Sequence, residues 1–128
     1  MARIKRKVHL SELQLAILRV LWKRGEASTA EVVADLGVRR GLAPTTLATL
    51  LTRLAKRGVL GQRRDGRTLV YRALVSEPDV QRSMVSDLVA NVFKGDATEL
   101  LAHLLREEEV APGDLAKVRA RLKEGDRG

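Results

Sequence analysis

The sequence predicts a mainly α protein with one small β-hairpin, and three observations carry that class. The apolar residues, 45% of 128, include one Trp, one Tyr and one Phe, so the core is built from Leu, Val and Ala, a composition suited to helices packed through leucine stripes. Helix start and stop signals recur from Ser11 to Pro112. Only one stretch, "VLGQRRDGRTLVYRAL", shows two short runs joined at an Asp-Gly pair, which tolerates the positive φ of a tight hairpin.

Taken in order, "LSELQLAILRVLWKRG" places Leu10, Leu13, Ile17, Val20 and Leu21 on one stripe, with Ser11 and Gln14 spaced as a capping box and Gly25 as the stop. "STAEVVADLG" repeats this grammar: Ser28 and Glu31 form the box, Val32, Val33 and Leu36 the apolar face, and Gly37 the stop. Pro44 opens a third helix, 44–57, that runs to "KRG", where cations suit a helix C-terminus. The hairpin, 59–74, is rimmed by Arg63, Arg64, Arg67 and Arg72. Ser76 and Pro78 then start a fourth helix through Val80, Met84, Leu88 and Val92, with Phe93 at the stripe's edge, to Gly95. Asp96 with Glu99 caps a fifth, "DATELLAHLLREEE", and Pro112-Gly113-Asp114 opens a sixth through Leu115, Val118 and Leu122.

The net charge of +8 is unevenly spread. Residues 1–75 hold 16 basic and 5 acidic groups, whereas residues 76–128 hold 8 and 11. A basic first domain, 1–75, thus precedes a mildly acidic second, 76–128, as expected if one meets a polyanion and the other meets protein. No cysteine is present, which removes disulfides, zinc knuckles and thiol nucleophiles and leaves His9 and His103 as the strong nitrogen ligands; no metal or other cofactor is expected. No apolar run is long enough to span a bilayer, and the basic start "MARIKRK" leads into "HLSELQ" rather than an apolar signal segment. The reading is of a cytoplasmic protein with no membrane insertion. A Gly-rich phosphate loop, paired histidines and a Ser/His/Asp group with a shared pocket are all lacking, so no enzyme is expected.

Three helices followed by a basic hairpin give the order of a winged helix-turn-helix, whose third helix enters the DNA major groove while the hairpin follows the backbone. On a helical wheel, Leu47, Leu50, Leu51 and Leu54 share a narrow sector, and Thr45, Thr49, Thr52 and Lys56 lie opposite, flanked by Ala48 and Arg53. Threonine is a poor helix former, and exposed helix faces ordinarily favour Glu, Lys and Gln. A short polar face does fit a major groove, where hydroxyls meet base edges, methyls meet thymine, and Arg or Lys hold phosphates. A winged helix used solely for protein interaction is the competing reading.

In the tail, Val80, Met84, Leu88 and Val92 on one helix and Leu100, Leu101, Leu104 and Leu105 on the next exceed the apolar surface that three short helices hide among themselves. A second copy covers them most simply, and a symmetric dimer presents two recognition helices to a palindrome; a self-contained bundle packed on the winged helix is the alternative.

The segments "LSELQLAILRVLW", "TTLATLLTRLAKRGVL", "RDGRTLVYRALVS" and "FKGDATELLAHLLREEE" resemble the BlaI/MecI-type, or penicillinase, repressors, a family that includes the copper-responsive CopY type. The resemblance covers nearly the whole chain. It implies a homodimeric bacterial repressor, with a winged helix ahead of a three-helix dimerisation module, bound to a palindromic double-stranded operator often carrying inverted TACA/TGTA half-sites. By position it makes Thr45, Thr46 and Thr49 groove readers. Arg53, Arg64 and Arg67, with Lys56 at the helix end, become phosphate contacts, and Thr52 meets backbone or nothing. Leu47, Leu50 and Tyr71 are core.

In β-lactam-responsive members, a sensor protease system triggers cleavage of an Asn-Phe bond in the dimerisation module. His103-Leu104 stands at that place here, so a regulatory protease, if one acts, cuts a different bond. CopY-type members carry a cysteine-rich metal hook, and the absence of cysteine excludes it.

Overall fold

In a computed structural model, residues 9–107 and 110–127 are described; "MARIKRK" and the glutamates at 108 and 109 lie outside them. The helices are α1 (Glu12–Arg24), α2 (29–40), α3 (Pro44–Lys56), α4 (Glu77–Asp87), α5 (Ala97–Arg106) and α6 (Asp114–Arg127). The strands are β1 (Ala27–Ser28), β2 (Leu60–Asp65) and β3 (Thr68–Ala73). The chain divides into two compact units, one ending at Ser86 and the other beginning at Asp87.

In the first unit α1 is the central helix. Both arms of its capping box form: Gln14 N–H donates to Ser11 Oγ at 3.2 Å and Ser11 N–H to Gln14 Oε1 at 2.9 Å. Ile17, Leu18 and Leu21 are fully buried and Ala16 nearly so, so the helix buries more than the stripe of Leu10, Ile17, Val20 and Leu21. Helix α2 opens on the expected box of Ser28 and Glu31, at 3.1 and 2.9 Å. It runs antiparallel to α1, with an ion pair at each end: Arg40 grips Glu12 through two hydrogen bonds of 2.6 and 2.7 Å, and Arg24 meets Glu31 at 2.6 Å.

The expected stop of α2 at Gly37 is wrong. The chain passes through a π turn, Val33–Gly37, and ends after Arg40 at Gly41, whose φ of 64° is the left-handed conformation that favours glycine. Gly37 serves packing. A Cβ there would lie 3.2 Å from Leu47 Cδ1 and 3.3 Å from the Leu42 carbonyl oxygen, so its missing side chain is what lets α3 close on α2. The two glycine roles look alike in sequence and differ only in three dimensions.

Helix α3 begins at Pro44 after Ala43, which provides no side-chain cap. Its Leu47, Leu51 and Leu54 are fully buried and form one core with Val32, Leu36, Leu60, Tyr71 and the α1 residues. Each such leucine contributes about 1.5–3 kcal/mol by leaving water. Leu50 is half-buried, at the edge of that core rather than inside it.

The sheet is antiparallel in the order β1-β3-β2. The two residues of β1 pair Ala27 with Tyr71 and Ser28 with Val70, a strand too short to leave an alternating pattern in the sequence. In the hairpin Asp65 pairs with Thr68, so the loop is Gly66-Arg67, one residue beyond the expected Asp65-Gly66. Positive φ at Gly66 alone, 64°, is the pattern of a type II′ turn. Trp22 Nε1–H donates to the Val75 carbonyl at 2.9 Å and ties the chain beyond the hairpin back to α1.

Helix α4 starts as expected, with Asp79 N–H donating to Ser76 Oγ at 3.2 Å. Its residues through Ser86 belong with the first unit, and this overturns one interface assignment. Val80 is 1% exposed inside the first unit's core, and Met84 packs against that core. Val80 therefore has no surface to offer a second copy, and Met84 little. The helical stripe starts as expected, but the partner of Val80 and Met84 is the first unit's own core.

In the second unit, a π turn Leu88–Val92 leads to Gly95, and Asp96 caps α5 through Glu99 N–H at 3.1 Å. Phe93 and His103 meet edge to face with centroids 6.1 Å apart. In α6, Asp114 reaches back to Ala111 N–H at 2.6 Å. Leu100 and Leu104 are half-buried, whereas Leu88, Val92, Leu101, Leu105, Leu115, Val118 and Leu122 are exposed. Among the described residues, no helix is long and apolar enough to cross a membrane.

Candidate nucleic-acid interface

With its leucines committed inward, α3 turns Thr45, Thr46, Thr49, Thr52, Arg53 and Lys56 to solvent. Thr45, Thr46, Thr49, Leu50 and Arg53 line one shallow open hollow, so the partly covered Leu50 forms an apolar strip beside the threonines. The start of α3 has no side-chain cap; Pro44 lacks an N–H and the Thr46 N–H donates to the Ala43 carbonyl at 3.1 Å, so the positive end of the helix dipole lies at the same end of the face as Thr45 and Thr46.

The four threonines are not equivalent. Thr49 Oγ1–H donates to the Thr45 carbonyl and Thr52 Oγ1–H to the Ala48 carbonyl, each at 2.9 Å, the backward bond to residue i−4 that threonine makes in a helix. Each of these hydroxyls has spent its proton and keeps only lone pairs for an outside partner. Among the described residues, the Thr45 and Thr46 hydroxyls make no hydrogen bond and keep both functions.

The basic groups divide in the same way. Arg24, Arg39, Arg40 and Arg63 are paired to carboxylates, whereas Arg53, Lys56, Arg64 and Arg67 make no ion pair among the described residues. The wing shows the contrast best. Arg63 bonds Glu26 through two contacts of 2.5 and 3.1 Å. Register puts it opposite Val70, while Arg64 stands opposite Leu69 on the alternate face, the one that carries Tyr71, and Arg67 occupies the loop.

These pairings hold the carboxyls of Glu12 and Glu26 below the usual carboxylate range, through the hydrogen bonds from Arg40 and Arg63 respectively. Glu31 is lowered first by the Ser28 N–H and then by Arg24. Glu12, Glu26 and Glu31 are thus engaged by Arg40, Arg63 and Arg24, and among the described residues none of them pairs with Arg53, Lys56, Arg64 or Arg67.

A helix that buries its leucines and holds short polar residues outward, beside a hairpin with unspent arginines, defines a winged-helix protein of the DNA-binding kind. Residues 10–124 match the model of the penicillinase repressor family, and the chain belongs to that family. The family is one of transcriptional repressors, not enzymes. The chain is 32% identical over 121 residues to the transcriptional regulator BlaI of Mycobacterium tuberculosis, covering 93% of this chain and 86% of that protein. It is 24% identical over 121 residues to the penicillinase repressor of Bacillus licheniformis, covering 94% of each. Among solved structures, the DNA-binding domain of the repressor BlaI is 33% identical with a TM-score of 0.53, covering 59% of this chain and 93% of that one. The monomeric form of Bacillus licheniformis BlaI bound to the blaP half-operator gives 33% and 0.52, with the same coverage.

Proposed function

We propose that this chain is a transcriptional repressor that binds a palindromic double-stranded operator as a homodimer. Helix α3 enters the major groove and the wing follows the phosphate backbone. Thr45, Thr46 and Thr49 read base edges; Arg53, Lys56, Arg64 and Arg67 hold phosphates. The observation that carries this reading is the coincidence, among the described residues, of the unbonded Thr45 and Thr46 hydroxyls on α3 with Arg53, Lys56, Arg64 and Arg67, which make no ion pair, while Arg24, Arg39, Arg40 and Arg63 are held by carboxylates. A relative's solved complex with a half-operator supports it.

The division into a DNA-binding part, 1–75, and a dimerising part, 76–128, belongs to the same proposal, with residues 76–86 packed into the first unit. The packing of Val80 and Met84 on that unit's core narrows the contacting surface to Leu88, Val92, Leu100, Leu101, Leu104 and Leu105. Release by a regulatory protease acting within 76–128 is also part of the proposal, at a bond other than an Asn-Phe pair.

The test is duplex binding as a function of salt. Several phosphate contacts make affinity fall steeply between roughly 50 and 200 mM salt, by 10³ or more for six contacts or above. A flat response would refute the repressor reading and favour a winged helix that binds protein.

A further inference from the structure

The backward hydrogen bonds on α3 carry a consequence for which bases the helix selects. We infer that Thr49 accepts a hydrogen bond from an exocyclic amino group, adenine N6 or cytosine N4, and so reads which strand of its base pair carries that group; this rests on the operator-binding reading above. The Thr49 hydroxyl has one proton, and that proton lies on the Thr45 carbonyl at 2.9 Å. What it shows the groove is a pair of lone pairs beside a methyl group. In the major groove, guanine presents N7 and O6 and thymine presents O4, all acceptors, whereas adenine and cytosine each present an amino donor. An acceptor-only hydroxyl matches the second pair and meets the first lone pair to lone pair.

The surroundings reinforce this polarity. Arg53, one turn further along the same hollow, is purely a donor, so acceptor and donor are segregated along the helix. Thr45 and Thr46 keep adaptable hydroxyls and impose no such choice. To donate outward, Thr49 would have to give up its intrahelical bond, and that bond is what fixes the sign of its contact.

The test uses the full-length chain and duplexes selected from a randomised library. Each base pair of the enriched duplex carries one amino group in the major groove, on adenine or on cytosine, and these groups are deleted one at a time. At one position, replacing the base by its analogue lacking the amino group (purine for adenine, 2-pyrimidinone for cytosine) should weaken wild-type binding about three- to tenfold, the worth of one hydrogen bond. Thr49→Val keeps the shape and the methyl and removes the lone pairs, so it should bind both duplexes alike; Thr49→Ser keeps the oxygen and should retain the sensitivity. Circular dichroism of each variant checks that the helix persists. Equal sensitivity of wild type and Thr49→Val to every amino deletion would overturn the inference while leaving operator binding intact. Failure of wild type to bind any duplex would overturn the repressor reading, and this inference with it.

Discussion

At the scale of single residues, what separates a reader from a bystander is whether its bonding capacity is already used. Arg64 and Arg67 have no carboxylate partner among the described residues, so Arg64→Ala and Arg67→Ala should each weaken binding to all duplexes similarly and lower the salt slope by about one. Electrophoretic mobility or fluorescence anisotropy at several salt concentrations measures this, and a change in preferred bases would contradict a phosphate role. Thr46→Ala should instead relax base preference by about 1–3 kcal/mol at one position while the fold survives, as read by a binding-site selection. The paired carboxylates act on stability. Glu12, Glu26 and Glu31 titrate below the usual carboxylate range in the folded chain, so their contribution is complete above the unfolded value and is lost as pH falls through the folded one. Thermal midpoints measured between about pH 5 and pH 3 should fall, and Glu26→Gln should remove part of that dependence.

At the scale of elements, the contact between α2 and α3 through Gly37 sets how the recognition helix is presented. Gly37→Val should destabilise the chain by about 1–3 kcal/mol in urea denaturation, because Leu47 and the Leu42 carbonyl already stand within 3.3 Å of the added carbon. The periodic signals read α1, α3 and the hairpin well, because a capping box, an N-terminal proline and a leucine stripe each report a local physical requirement. They could not report β1, two residues long and formed only because β3 lies beside it. Nor could they separate the glycine that packs from the glycine that turns, four residues apart. The site was legible in its residue types; the hydroxyl protons of Thr49 and Thr52 and the diversion of Arg63 to Glu26 depend on geometry that no spacing encodes.

At the scale of the whole molecule, the two units bury apolar surface to different degrees. The first buries Leu18, Leu21, Leu36, Leu47, Leu51 and Leu54 completely, whereas the second leaves Leu101 and Leu105 each more than half exposed. Leu101→Glu with Leu105→Glu should therefore shift the full chain from dimer to monomer in sedimentation equilibrium and weaken palindrome binding at least a hundredfold, through loss of the linked second site. Val80→Ala should leave the dimer in place and lower folding stability by roughly 2 kcal/mol, since its side chain fills the first unit's core. Interface and core, alike in sequence as one helical stripe, part company in these two measurements. The division within α3 has an engineering consequence as well. Its buried side supplies the fold and, among the described residues, the side chains at 45, 46, 49 and 53 bond to nothing outside the helix, so these positions form a cassette that can be rewritten toward new operators without renegotiating the architecture.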